Sequence, residues 1–297
     1  MRSTSLIIFL LVGCGQGFTP MTSASAAPAS AVVVANDYVT TPFGLVHSSC
    51  VTEVAEGSRI ADPHTIVISD HTEKLSHCLH PMRHTRRPPD AINGWVEAAD
   101  WEAAATPQSL STTWVVPDIP TGPSGQLLYY FPSFMPQAQN RIIQPVLQYG
   151  VGAAGGGNYW AIASWYVTSD TGQAKHSPLL QVSPGDTIVG TLTASACSGD
   201  GACDYTIVSA DASSGESRTL VVSETVPYTS IQAAVLEAYN VSSCDQFPAS
   251  ELTFSELSVI DAEGDAVVPQ WSTQNWKPSL ACGFAIDARA DAVTLSY

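Results

Sequence analysis

From residue 94 to the end, apolar and polar positions alternate in short runs: 94–101, 111–116, 126–131, 141–149, 158–168, 177–183, 187–194, 203–210, 218–224, 233–239, 254–260 and 291–297. A period of two is the mark of a strand with one buried face. Turn formers separate most of the runs: residues 117–125, Ser183-Pro184-Gly185-Asp186, Ser213-Ser214-Gly215 and Glu263-Gly264. Many short strands at near-regular spacing predict an all-β domain, a closed barrel or a two-sheet antiparallel sandwich. Residues 229–239 are ambiguous, because Ile231, Val235 and Tyr239 recur every four positions. Val235, Glu237 and Tyr239 also alternate, and a strand is expected there. No long repeat, low-complexity tract or second boundary follows residue 91.

Two runs hold the chemistry-bearing positions. Ile142-Ile143-Gln144-Pro145-Val146-Leu147-Gln148-Tyr149-Gly150 leads through a glycine-rich turn into Asn158-Tyr159-Trp160-Ala161-Ile162-Ala163-Ser164-Trp165-Tyr166-Val167. On a strand, Ile142, Gln144, Val146 and Gln148 share one face. An amide among aliphatics costs a few kcal/mol unless it is hydrogen-bonded. Glu237 is the single charge between Glu224 and Asp245, in a stretch of small and apolar residues. Desolvation there raises a carboxylate pKa, which suits proton transfer in acid. An edge-strand glutamate turned to water is the alternative.

Before residue 91 the pattern is different. Arg2, an apolar run over 6–12 and Ala24-Ser25-Ala26 form an export signal over residues 1–26. The run is too short for a membrane anchor. Leu11-Val12-Gly13-Cys14 also fits a bacterial lipobox, which would leave Cys14 lipidated, so secretion and lipid anchoring stay open. Residues 27–90 lack sustained periodicity and end in His84-Thr85-Arg86-Arg87-Pro88-Pro89-Asp90. They read as a pro-segment whose histidines gain charge in acid, or as an extension that stays attached.

The charge divides at the same point. Residues 91–297 hold 5 Lys and Arg against 20 Asp and Glu, whereas residues 1–90 hold 6 against 7 and six of the seven histidines. An acidic body argues against nucleic acid as a partner. It also fits life at low pH. Six cysteines remain when Cys14 is set aside, an even number in an exported chain, and they predict disulfides. Cys197–Cys203 reads as a hairpin-tip bridge, with Cys244–Cys282 and Cys50–Cys78 following by elimination. His71, His77, Cys78, His80 and His84 match no standard zinc spacing.

No G-x-S-x-G elbow, P-loop or H-E-x-x-H motif occurs, and His176 is the single histidine after residue 90. Histidine-based nucleophilic catalysis is thereby disfavoured. Carboxylates and amides are left to carry any hydrolysis.

In order, Val146-Leu147-Gln148-Tyr149-Gly150, Ala161 to Tyr166, Val182-Ser183-Pro184-Gly185-Asp186-Thr187-Ile188 and Ala234-Val235-Leu236-Glu237-Ala238-Tyr239 resemble the motifs of glutamic peptidases (eqolisins): I-L-Q-T-G, A-W-Y-E-W-Y, an S-E-G-D turn and F-I-x-E-D-F. Asn93-Gly94-Trp95 and Thr113-Trp114-Val115-Val116-Pro117 echo its upstream strands. The resemblance covers residues 93–260 and extends, more loosely, to neprosin-type peptidases. It implies a concanavalin-like sandwich over residues 91–297, a polypeptide substrate, and no metal or organic cofactor. It also implies a catalytic pair of Gln148 and Glu237. Glu237 would take the proton of a water and return it to the leaving amine, while the Gln148 amide stabilises the oxyanion.

Gln144, Trp160, Trp165, Tyr130 and Tyr149 are candidates to line the substrate cleft, and a monomer without a transmembrane span is expected. The chain departs from the family at Ser164 (glutamate there), at Ala238-Tyr239 (Asp-Phe there), and at Tyr130-Phe131-Pro132-Ser133-Phe134, which lacks an acid. A sugar-binding sandwich using tryptophans, or a glycoside hydrolase with two facing carboxylates, are the rival readings.

Overall fold

The computed structural model describes residues 37–69, 71–83, 91–199, 201–276 and 280–297. It opens with a hairpin of β1 (Tyr38–Thr41) and β2 (Gly44–His47). Four short strands follow: β3 (Val51–Glu53), β4 (Arg59–Asp62), β5 (Thr65–Ile68) and β6 (His71–Lys74). The longer strands are β7 (Ile92–Glu102), β8 (Ser109–Val115), β9 (Leu127–Met135), β10 (Arg141–Gly152) and β11 (Gly155–Thr168). Next come β12 (Gln173–His176), β13 (Leu180–Val182), β14 (Thr187–Ser195), β15 (Cys203–Asp211), β16 (Glu216–Glu224) and β17 (Ser230–Val241). The chain closes with β18 (Leu252–Ile260), β19 (Ala266–Val267), β20 (Ser272–Asn275), β21 (Ala285–Ala288) and β22 (Val293–Ser296). Among the described residues there is no α-helix.

Two sheets form a β-sandwich. The site sheet runs β20-β7-β17-β9-β10-β11-β12-β3, with β13 also on β11. The support sheet runs β21-β22-β18-β8-β14-β15-β16-β4-β5-β6, with β19 on β18. Pairing is antiparallel except where β3 joins β12 and β4 joins β16. Residues 230–239 of the ambiguous stretch lie in β17, as the alternation of Glu237 with its neighbours predicted. Short strands drawn from residues 51–74 complete an edge of each sheet.

The sheets differ in how they are covered. In β14 and β15 buried positions alternate with half-buried ones, so one face packs and the other meets water. Strands β9, β10 and β17 are buried on nearly every residue. Between the sheets, Tyr130, Leu147, Trp160 and Leu236 pack against Trp114 and Ile188. On the outer face of the site sheet, Phe131, Ile142, Val146, Trp165 and Val235 pack under Val46 and Phe43 of the N-terminal hairpin. Each fully buried side chain of this size contributes about 1.5–3 kcal/mol. The hairpin thus turns a surface face into a second core.

Disulfides join Cys50–Cys78, Cys197–Cys203 and Cys244–Cys282, the pairing expected from the sequence. The export signal, Cys14 and the Arg86-Arg87 stretch lie outside the described residues.

Candidate active site

Strand register sets three polar side chains in one row across the site sheet. Glu237 on β17 is opposite Tyr129 on β9, and Tyr129 is opposite Gln148 on β10. The row continues to Trp95 on β7 and Ala161 on β11. Neighbouring strands lie about 4.8 Å apart, so the backbones of Glu237 and Gln148 are about 10 Å apart. Tyr129 stands between them, and all three project from the outer face.

The Gln148 amide is held at one end. Its Nε2 donates to the carbonyls of Gly150 at 2.9 Å and Gly155 at 2.8 Å, while its Oε1 is buried without a partner. Two carbonyl acceptors fix which end of the amide is nitrogen. The turn needs glycine to permit this. At Gly156 (φ +108°) a Cβ would sit 2.5 Å from Nε2 and 2.3 Å from the Gly150 carbonyl. At Gly152 a Cβ would lie 2.2 Å from the Tyr129 hydroxyl and 3.3 Å from Gln148 Oε1. Those two oxygens therefore converge on one spot.

Glu237 is 1% exposed, and its Oε1 accepts from the Tyr239 hydroxyl two residues along the same strand. Its Oε2 has no partner. Burial pushes its pKa up to about 8, against the opposing pull of the Tyr239 hydrogen bond. Tyr129 is raised well above its ordinary value, chiefly by burial and then by the Glu237 charge, and stays a neutral hydroxyl.

Glu237 lines a cleft of about 540 Å³ whose walls include Phe43, Trp95, Gln232, Tyr239 and Trp276. Trp95 and Trp276 meet edge to face, ring centres 5.6 Å apart. Asp100 and Glu102 form an acidic end, and Asp100 is raised by burial and by Glu102.

The hairpin lies on this face. Gln144 Nε2 donates to the Pro42 carbonyl at 2.6 Å. The Thr40 carbonyl accepts from the Tyr129 hydroxyl at 3.1 Å and from the Ala153 N–H at 2.8 Å.

The structure gathers Gln148, Glu237, Gln144 and Trp165 on the outer face. Trp165 is opposite Gln144 and packs on His176, ring centres 4.8 Å apart. Tyr130, Tyr149 and Trp160 point the other way, into the inter-sheet core, where Trp160 packs on both tyrosines. A ligand on the outer face does not meet them. Ser164 also turns inward, bonded to Ser209 and to the Arg218 carbonyl, so that departure from the motif lies away from the row. Sequence reasoning missed Tyr129, Asp100 and Trp276. In Leu127-Leu128-Tyr129-Tyr130-Phe131 no polar position marks the face on which either tyrosine emerges.

No family model and no curated protein matches the sequence. Among solved structures, scytalido-glutamic peptidase with a peptide-based transition state analog is similar at TM-score 0.50 and 16% identity, over 70% of this chain and 99% of that one. SCP-B, a member of the eqolisin family in complex with the tripeptide Ala-Ile-His, is similar at TM-score 0.48 and 16% identity, over the same shares. The fold is that of the glutamic peptidases, a β-sandwich.

Proposed function

We propose that this chain is an exported endopeptidase that works in acid on Glu237 and Gln148, and that its N-terminal hairpin holds it inactive. The observation that carries the reading is the row on β17, β9 and β10. It sets a desolvated carboxylate and a fixed amide on one covered face, each with an oxygen free, Glu237 at a cleft wall. Ionised Glu237 removes a proton from a water. The hydroxide attacks the peptide carbonyl, and Glu237 returns the proton to the leaving nitrogen as the C–N bond breaks. Gln148 Oε1 accepts from the same water and aims it, since both N–H groups of this amide are already used.

The hairpin blocks this in two ways. It fills the face where a substrate strand would lie, and it keeps Glu237 dry, so that the carboxyl stays protonated and cannot act as a base. Displacing it readmits water and brings Glu237 back toward the ordinary carboxylate range. The disulfides suit an exporting cell.

The test is digestion of an unfolded protein between pH 2 and 7 by wild type, Glu237→Gln and Gln148→Ala, before and after acid treatment. Acid-dependent cleavage lost in both variants, with the fold retained, is the expected result. Inactive wild type at every pH removes the reading.

A sugar-binding function has one observation in its favour, the Trp95 and Trp276 pair beside the cleft, and glycan binding by a protein without proteolysis would establish it. A glycoside hydrolase fits less well. It needs carboxyls about 5–10 Å apart. Asp100 is five positions along β7 from the residue facing Glu237, roughly 15 Å. Glu97, the other buried acid of that strand, is opposite Leu236 and faces the inter-sheet core.

A further inference from the structure

We propose that the Tyr129 hydroxyl and the Ala153 backbone N–H form the oxyanion hole of this site, with Tyr129 as a third catalytic residue. The inference rests on the peptidase reading above and deepens it.

Donor supply is the starting point. A tetrahedral intermediate carries its negative charge on the former carbonyl oxygen, and a donor must meet it. Gln148 has two N–H bonds, and both go to the Gly150 and Gly155 carbonyls. Its remaining atom is an acceptor, which repels an oxyanion. Glu237 is an acid or a base and offers no standing donor when ionised. Tyr239 already donates to Glu237. Of Glu237, Tyr129 and Gln148, Tyr129 is the one with a neutral donor to offer a substrate carbonyl, and the indole of Trp95 lies on the far side of Glu237 from Gln148.

Geometry agrees. The Tyr129 hydroxyl stands over Gly152, with room beside it because that residue has no Cβ. It already binds a peptide carbonyl, that of Thr40, at 3.1 Å, and the Ala153 N–H binds the same oxygen at 2.8 Å. Two donors about 2.7–3.1 Å from one oxygen are the arrangement that an oxyanion hole requires. The chain's own N-terminal strand thus fills the hole with the group that a peptide substrate would bring. Gly152 keeps the space open, because any Cβ there would collide with the hydroxyl. Burial keeps Tyr129 protonated, so it donates at every working pH.

In the reaction the Glu237 carboxylate takes the water proton, and the hydroxide adds to the carbonyl carbon. The carbonyl electron pair moves to oxygen, where Tyr129 and Ala153 hold it. Collapse re-forms the carbonyl, breaks the C–N bond and passes the Glu237 proton to the amine. Tyr129 keeps its own proton throughout.

The experiment compares acid-treated full-length wild type with Tyr129→Phe and Tyr239→Phe on a fluorogenic peptide, with thermal melts as the fold control. For Tyr129→Phe the expected result is a kcat about 100-fold lower, with KM within about threefold and the pH limbs unmoved. A peptide aldehyde, whose hydrate mimics the intermediate, should lose affinity by a similar factor, while a product peptide binds as before. Tyr239→Phe should shift the pH profile and keep its plateau. A Tyr129→Phe enzyme with kcat within threefold of an active wild type overturns the oxyanion assignment and leaves the peptidase reading standing. Inactive wild type overturns both.

Discussion

The amide of Gln144 donates to the carbonyl of Pro42 at 2.6 Å, a bond that spans 102 positions of sequence and pins the N-terminal hairpin to the face carrying Gln148. Gln144 Oε1 has no hydrogen-bond partner, so the polar tie of this side chain runs to the hairpin. Gln144 is therefore a latch in the covered state, whatever it does for a substrate.

Gln144→Leu should loosen that latch while filling the same space. A buried hydrogen bond is worth about 1 kcal/mol net, or about fivefold in an opening equilibrium. Hydrogen exchange at Leu45, whose N–H is bonded to the Arg83 carbonyl at 3.0 Å, should quicken by about that factor. Unchanged exchange at Leu45 would show that the hairpin is held without this bond, by its apolar contacts and the two bonds to the Thr40 carbonyl.

The Cys50–Cys78 bridge closes a loop 28 residues long that contains β3 to β6, the strands that finish an edge of each sheet. Those strands are only three or four residues long. Constraining a loop of this length is worth about 3.5 kcal/mol. The double variant Cys50→Ser/Cys78→Ser should melt about 10 °C lower, at about 2–4 °C per kcal/mol for a chain of this size. A melting point within 2 °C of wild type would place the stability of these edges elsewhere.

Two buried carboxyls, Glu97 and Glu237, favour the folded chain in acid. Burial raises both Glu97 and Glu237 from 4.5 to about 8. Between those values the folded state keeps protons that the unfolded state has lost, so what these two groups contribute is full below about pH 4.5 and is lost toward pH 8. Glu97 is the cleaner probe, since it faces the core and takes one bond from Asn275 at 3.2 Å. The melting temperature should fall as pH rises from 4.5 to 8, and Glu97→Gln should flatten that slope. An identical slope in the variant would mean that Glu97 ionises freely in the fold.

Alternation found the long strands, and the ordered motifs singled out Gln148 and Glu237, because a polar residue in an apolar strand marks its own face. The same logic fails where a strand is buried on both sides. In β9 and β11 every position near the row is apolar, so the period of two does not tell Tyr129 from Tyr130, or Trp165 from Trp160. Three of the five expected cleft residues consequently sit in the inter-sheet core. The strands at residues 38–74 were illegible for another reason. Runs of three or four residues are too short to show a period, and their pairing is decided by the sheet edges that receive them.

Tyr239 departs from the family motif in a way that has a measurable consequence. Its hydroxyl donates to Glu237 Oε1 and favours the ionised carboxylate, pulling against the desolvation that raises this group. Tyr239→Phe removes that donor and leaves the ring against Tyr129, where the two rings meet edge to face at 6.4 Å. Glu237 must then ionise without help, and its pKa rises by about one unit for a lost charge-assisted bond. A general base acts only when ionised, so the acid limb of kcat/KM against pH should move up by about one unit, with the plateau at higher pH preserved. A limb that stays in place would mean that another group sets it; a limb that moves down would mean that the tyrosine bond favours the protonated acid. The first outcome separates Glu237 from the titrating base, and the second reverses the direction of its control.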